Sequence, residues 1–167
     1  MNTADAPLSD LYRELVLEHK RAPRHWGALE RPTHQSHGHS PQCGDDLTLQ
    51  LRVHDGRIED LRYHGQGCAI CIASASMMSE AVAGQSVEHA QALHEHFRAV
   101  LTGQREPEER TLGKLVSLAG VRRSPNRIKC ALLAWHALAH ALAEGDAPEA
   151  ASMQPPTAQV VVPEPAR

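Results

Sequence analysis

The residues of this chain best able to do chemistry are Cys43, Asp45, Cys68, Cys71 and Cys130. Cys43 lies in Pro41-Gln-Cys-Gly-Asp45, a turn sequence immediately ahead of an alternating strand pattern. Cys68 lies in Gly65-Gln-Gly-Cys-Ala, just before a helical stretch, and Cys130 falls in the first turns of the last long helical stretch. Loops and helix starts are where a fold can gather ligands that are distant in sequence. A helix N-terminus favours a thiolate at Cys68 through its partial positive charge and unpaired N–H groups, and the preceding glycines let a metal or partner come close. Arg127 and Lys129 give Cys130 similar help. Three thiolates and the Asp45 carboxylate would make a tetrahedral site whose softness suits zinc. Spacing alone does not bring the four together. Asp45 reads better as a turn residue bonded to its own backbone, and each cysteine reads equally well as a small core residue.

Cys68-Ala-Ile-Cys71 is also a C-x-x-C, the spacing of thiol–disulfide enzymes. No βαβ pattern surrounds it, and Gly-Gln-Gly interrupts the strand that should lead into it, so Cys71 is expected to pack beneath Cys68. The 12 histidines invite a similar weighing. His34, His37 and His39 could supply an auxiliary ligand but read as a solvated loop. His89, His94 and His96 have the spacing of helix surface or boundary positions. His136 and His140 form an i, i+4 pair with no third ligand in view.

The elements that must position these groups follow from periodicity. Residues 8–20 read as an amphipathic helix with Ser9 as its cap, ended by Pro23. A polar stretch to Ser40 carries at most a short edge strand near 33–37. Leu47, Leu49, Leu51 and Val53 alternate with polar residues, Asp55-Gly56 is a two-residue hairpin turn, and a return strand covers about 57–64. A bulge near Glu59-Asp60 reconciles the phase of Ile58 with that of Leu61 and Tyr63. Helices are predicted over 69–83, from the Ser86 cap to Gly103, around 112–119, and from Ser124-Pro125 to about Ala143. The fold class is α+β: a small antiparallel sheet of about three strands packed against several helices. Residues 1–145 form the domain, and the Pro/Ala-rich 146–167 read as a disordered tail.

Composition narrows the function classes. The 167 residues suffice for one domain. With 17 basic and 20 acidic side chains and a net charge of −3, phosphate-driven nucleic-acid binding is not expected. Aromatic residues make up 3%, so the core must be aliphatic. No stretch is apolar and long enough for a membrane span, and the N-terminus lacks signal-peptide character, so a cytoplasmic protein with reduced cysteines is expected.

In order along the chain, Leu11-Tyr-Arg-Glu, Pro23-Arg, Cys43-Gly-Asp45, Gly65-Gln-Gly-Cys68, Ala73-Ser-Ala-Ser-Met77 and Arg127-Ile-Lys-Cys130 resemble the U-type iron–sulfur assembly proteins. This family includes IscU, the N-terminal part of NifU, and SufU, and the resemblance covers about 8–143. Within it the chain is most similar to the SufU branch. Lys129 stands where IscU-type scaffolds carry a histidine, and the gap from Cys68 to Cys130 holds an extra charged loop and short helix around 104–122.

The resemblance implies a zinc site of Cys43, Asp45, Cys68 and Cys130, with Cys43 accepting persulfide sulfur from a SufS-type cysteine desulfurase. It also implies delivery to a SufBCD-type scaffold downstream. The protein is then an acceptor and activator of the desulfurase rather than a stand-alone turnover enzyme. The alternative within the family is a scaffold that builds and passes on a [2Fe–2S] cluster, with iron on the same residues. From other classes come a C-x-x-C oxidoreductase and a structural zinc domain without sulfur chemistry. Arg122, Arg123, Arg127 and Lys129 are basic residues suited to meeting an acidic partner surface, and they read equally well as ordinary solvated side chains that balance nearby acids.

Overall fold

The alternating apolar residues of 47–53 do become the centre of a sheet, and the arrangement around that strand places the cysteines. The computed structural model describes residues 5–41, 44–144 and 159–161. Helix α1 (Asp5–Arg21) leads to strands β1 (His34–Ser40), β2 (Asp45–His54) and β3 (Arg57–Gln66). Helices α2 (Ala69–Val82), α3 (Val87–Leu101) and the single turn α4 (Glu109–Leu112) follow. A 3₁₀ stretch (Gly113–Arg123), helix α5 (Pro125–Glu144) and a short strand β4 (Gln159–Val161) complete the order. The sheet runs β3-β2-β1-β4, antiparallel among the first three strands, with β4 parallel to β1.

Local chemistry sets the hairpin. Asp55 and Gly56 both take positive φ, 51° and 74°, as a tight two-residue turn between right-twisted strands requires. Arg52 pairs with Asp60 and Val53 with Ile58, leaving Glu59 as the extra residue of a bulge. That bulge returns Ile58, Leu61 and Tyr63 to the buried face beside Leu47, Leu49 and Leu51.

Helices α2 and α5 cover that face. Helix α2 is buried almost all round, which is why its residues are small: Ala73, Ser74, Ala75, Ser76 and Ser79 let neighbours approach closely. Each buried serine hydroxyl of α2 is satisfied. Ser74 Oγ donates to the Ala131 carbonyl (2.5 Å) and accepts from the Trp135 indole (3.2 Å). Ser76 Oγ meets His19 Nδ1 (2.6 Å) and accepts from the Arg24 N–H, and Ser79 Oγ donates to the Ser76 carbonyl. On β1, Ser36 donates to the Ala137 carbonyl. A Cβ at Gly38 would stand 3.3 Å from Leu133 Cδ1, so β1 and α5 are in close contact there.

Several expectations are corrected. Residues near 33–37 form not a short edge strand but part of a seven-residue strand paired along its length with β2 and, at His37–His39, with β4 on its outer edge. Helix α1 is already under way before Ser9, so Ser9 does not cap it; Pro7 is tolerated within its opening turn. The helix expected around 112–119 is one α turn continued as 3₁₀. His94 and His96 are buried rather than at the surface, because α3 is roofed by α5 and the 3₁₀ stretch. Of the tail, Gln159–Val161 forms a strand, as its β-branched valines favour; the expectation of disorder for the remainder of 146–167 lies outside the described residues. No helix of the described residues is long and apolar enough to cross a membrane.

Burial leaves a pH signature. His94 stacks on Trp135 and meets His136 edge-on at 5.6 Å between ring centroids. Desolvation lowers both imidazoles below the ordinary 6.5, His136 to about 4. The unfolded chain takes up these protons where the folded one does not, so stability falls as pH drops from about 6.5 towards 4. Thermal melts across pH 4–8 should show a falling Tm in that window, and His136→Leu should flatten part of the slope relative to wild type.

Candidate metal centre

Three elements meet at the end of the sheet where β2 begins. Asp45, the first residue of β2, points inward and is buried. Cys68 is the N-cap of α2, with extended φ −68° and ψ 169°, and its sulfur accepts the N–H of Cys71 at 3.4 Å. Cys130, buried, comes from the second turn of α5. The backbone N–H of Cys68 donates to Asp45 Oδ1 (3.0 Å), and Cys68 Sγ lies 3.8 Å from Asp45 Oδ2. One ligand atom from each of Asp45, Cys68 and Cys130 falls within 4.8 Å of the others. Two sulfurs sharing one tetrahedral zinc stand about 3.8 Å apart, so small side-chain rotations would close this set on an ion.

The electrostatics suit a cation. The thiol of Cys130 hydrogen-bonds to Cys68, and that contact, with the N–H groups of Cys71 and Ile70, brings Cys68 down to about 6 against burial and the Asp45 carboxylate. The same contact, with burial and the negative charge of Cys68 and Asp45, drives Cys130 far up. The two sulfurs thus share one proton, which a divalent metal would displace on making both thiolates. Soft sulfur with a single carboxylate is a donor set that fits zinc, and thiolates equally hold iron–sulfur clusters. Cys68 is exposed, so the site has an open side.

Of the residues anticipated from sequence, Asp45, Cys68 and Cys130 are brought together and Cys43 lies outside the described residues. Asp45 is therefore not merely a turn residue bonded to its own backbone. Cys71 is fully buried on the same helix turn, and Gly67 makes room for it. A Cβ at Gly67 would lie 2.9 Å from Cys71 Sγ and 3.3 Å from Asp45 Oδ1. Lys129, grouped from sequence with the partner-facing bases, is instead buried at 4% exposure.

Arg122, Arg123 and Arg127 line a cleft of about 930 Å³ together with Tyr12 and Arg13 of α1. Burial is the main reason the Tyr12 phenol is raised, and the charges of Arg127, Cys68 and Cys130 also act on it. Tyr12 and Arg13 belong to the Leu11-Tyr-Arg-Glu motif, but nothing local in that motif indicates that α1 reaches this far.

Comparison with known proteins follows the same residues. The NifU-like N terminal domain model matches residues 11–147. The chain is 41% identical over 135 residues to the "Iron-sulfur cluster assembly scaffold protein IscU" of Streptococcus pyogenes serotype M1, covering 81% of this chain and 84% of that protein. It is 35% identical over 140 residues to the "Zinc-dependent sulfurtransferase SufU" of Bacillus subtilis, covering 84% and 95%. Among solved structures, a putative iron–sulfur cluster assembly scaffold protein for the SUF system from Fervidobacterium islandicum superposes with a TM-score of 0.75 at 29% identity, over 80% of this chain and 97% of that one.

Gly67→Ala tests the fit of the centre. The added methyl would press on the side chains of Cys71 (Sγ and Cβ) and Asp45, so the variant should bind zinc more weakly than wild type in a competitive chelator titration while keeping its far-UV spectrum.

Proposed function

The chain belongs to the NifU-like N-terminal domain family of iron–sulfur cluster assembly proteins, the family of IscU and SufU, and on that premise we propose that it is a zinc-dependent sulfur acceptor and carrier served by a cysteine desulfurase. The observation that carries this reading is the solvent-open cluster of Asp45, Cys68 and Cys130 at the N-terminus of α2. Cys43 precedes Asp45 by two residues, so covalent geometry keeps its Cα within about 7 Å of that of Asp45. It completes a Cys₃Asp set. Zinc in that set would keep the thiolates deprotonated and protected.

With zinc in that set, Asp45, Cys68 and Cys130 would hold the metal and Cys43 would be the thiolate free to act. Its sulfur attacks the terminal sulfur of the donor's persulfide. The new bond joins Cys43 Sγ to the transferred sulfur, the bond broken is the donor's S–S, and the donor cysteine departs as thiolate. A side chain of the desulfurase taking the vacated ligand position would let this happen without loss of the metal. The arginine-lined cleft beside Tyr12 supplies positive charge for an acidic partner surface.

Two features favour the carrier over a cluster scaffold. Lys129, not an imidazole, precedes Cys130, and residues 104–122 add the loop and short helices that resemble the SufU insertion. The scaffold reading draws on the 41% identity to a protein named IscU, and a [2Fe–2S] cluster would use the same thiolates. A C-x-x-C oxidoreductase is disfavoured by the complete burial of Cys71. The exposure of Cys68 disfavours a closed structural zinc site.

The freshly purified protein should contain about one zinc per chain, as a tetrahedral Cys₃Asp site holds, and should stimulate a SufS-type desulfurase. Cys43→Ser should abolish that stimulation. Zinc-free protein, together with normal stimulation by Cys43→Ser, would falsify the carrier. Anaerobic reconstitution of a [2Fe–2S] cluster that transfers to an apo-ferredoxin would select the scaffold instead.

A further inference from the structure

Asp46 directly follows Asp45 on β2, and strand alternation turns its carboxylate to the opposite, outer face of the sheet. There it meets two histidines of β1. His37 and His39 are two residues apart on one strand, so both imidazoles stand on that outer face, and His39 is the cross-strand partner of Asp46. His37 Nε2 is 2.5 Å from Asp46 Oδ1, and His39 Nδ1 is 3.5 Å from Asp46 Oδ2. The rings lie nearly parallel, 16° between planes and 6.3 Å between centroids. His39 Nδ1 is shielded from water yet makes no hydrogen bond. The segment expected to be a solvated loop is thus a strand that holds two imidazoles over one carboxylate.

We infer that His37, His39 and Asp46 form a second metal site, for a divalent first-row transition-metal ion, on the face of the sheet opposite the thiolate centre. Two neutral imidazoles and one carboxylate are a borderline donor set suited to iron(II), cobalt(II) or zinc and poorly suited to magnesium or calcium. Imidazoles sharing one tetrahedral ion have centroids about 5 Å apart with their nitrogens converging, so binding requires the two near-parallel rings, now 6.3 Å apart, to turn their nitrogens towards a common point about their side-chain torsions. Without metal, the carboxylate bridges the two rings. On metal binding the ion takes the place of that bridging contact, and any proton on the coordinating nitrogens is released to solvent. His37 is 17% exposed and Asp46 37%, which leaves the outer side open to water as further ligand. The absence of sulfur makes this centre chemically distinct from that of Cys68 and Cys130.

Cobalt(II) separates the two centres. Added to the metal-free full-length chain, it should give a thiolate-to-cobalt charge-transfer band from the cysteine centre. Equilibrium dialysis should then show a further equivalent taken up without growth of that band. In the His37→Gln/His39→Gln double variant this further equivalent should be lost and the charge-transfer band kept, which also shows that the sheet is folded. Cys68→Ser should weaken or abolish the band and retain the further uptake. Wild-type protein that takes up no cobalt beyond saturation of the band overturns the inference, as does a double variant that still takes up the further equivalent. Failure of the cysteine centre would instead appear as a missing band in wild type, with the histidine-dependent uptake unaffected.

Discussion

The contact on which the site depends is a single serine between two helices. Ser74 of α2 donates to the Ala131 carbonyl of α5 and accepts from the Trp135 indole, so one buried hydroxyl spends both its capacities on the facing helix. Burying a hydroxyl is favourable only when it is bonded, and here the bonding also fixes how α2 lies against α5. Cys68 begins α2 six residues before Ser74, and Cys130 immediately precedes Ala131. The distance between the two thiols is therefore constrained by this contact together with the rest of the α2–α5 packing. The alanines and serines along α2 are the condition for it, since larger side chains would hold the helices apart.

The sheet contributes the third ligand by a simpler rule. Side chains on β2 alternate between faces, so Asp45 enters the buried cluster while Asp46 faces the histidines of β1. The doubled acid is one strand serving two environments of opposite character. On the inner face, sulfur and a helix N-terminus make a soft and electropositive setting. On the outer face, imidazoles and water make a harder one. A one-residue slip of β2 would exchange the two carboxylates and empty the inner cluster of its oxygen ligand. The hairpin turn at Asp55-Gly56, the Glu59 bulge and the pairing of Ser40 with Asp45 all guard that register.

Much of this was legible from residue order. Leu47 to Val53, the Asp-Gly turn, the bulge and the caps at Ser86 and Ser124-Pro125 are local patterns, and local physics gives each a single reading. Three segments went differently, and each for a non-local reason. His34 to Ser40 carries no apolar alternation; it is a strand because Ser36 and Gly38 are small enough to lie under α5. His94 and His96 sit at boundary-like spacings, but the elements that cover α3, the 3₁₀ stretch and α5, come later in the chain. Lys129 lies beside basic residues in sequence, yet the turn of α5 that places Cys130 in the cluster also carries Lys129 out of solvent.

Sequence by itself determined which groups are available: thiols at element starts, a carboxylate beside a turn, a helix of small residues, and the family whose motifs these are. The groups follow from composition and short-range spacing, which survive without any knowledge of packing, and the family from the resemblance of its motifs. Only the tertiary structure decided that Asp45, Cys68 and Cys130 share one pocket, that Cys71 is sealed beneath Gly67, and that Asp46 bridges His37 and His39. Those relations join residues up to 85 positions apart (Asp45 to Cys130). They arise from helix-to-helix and strand-to-strand contacts that residue order does not encode locally.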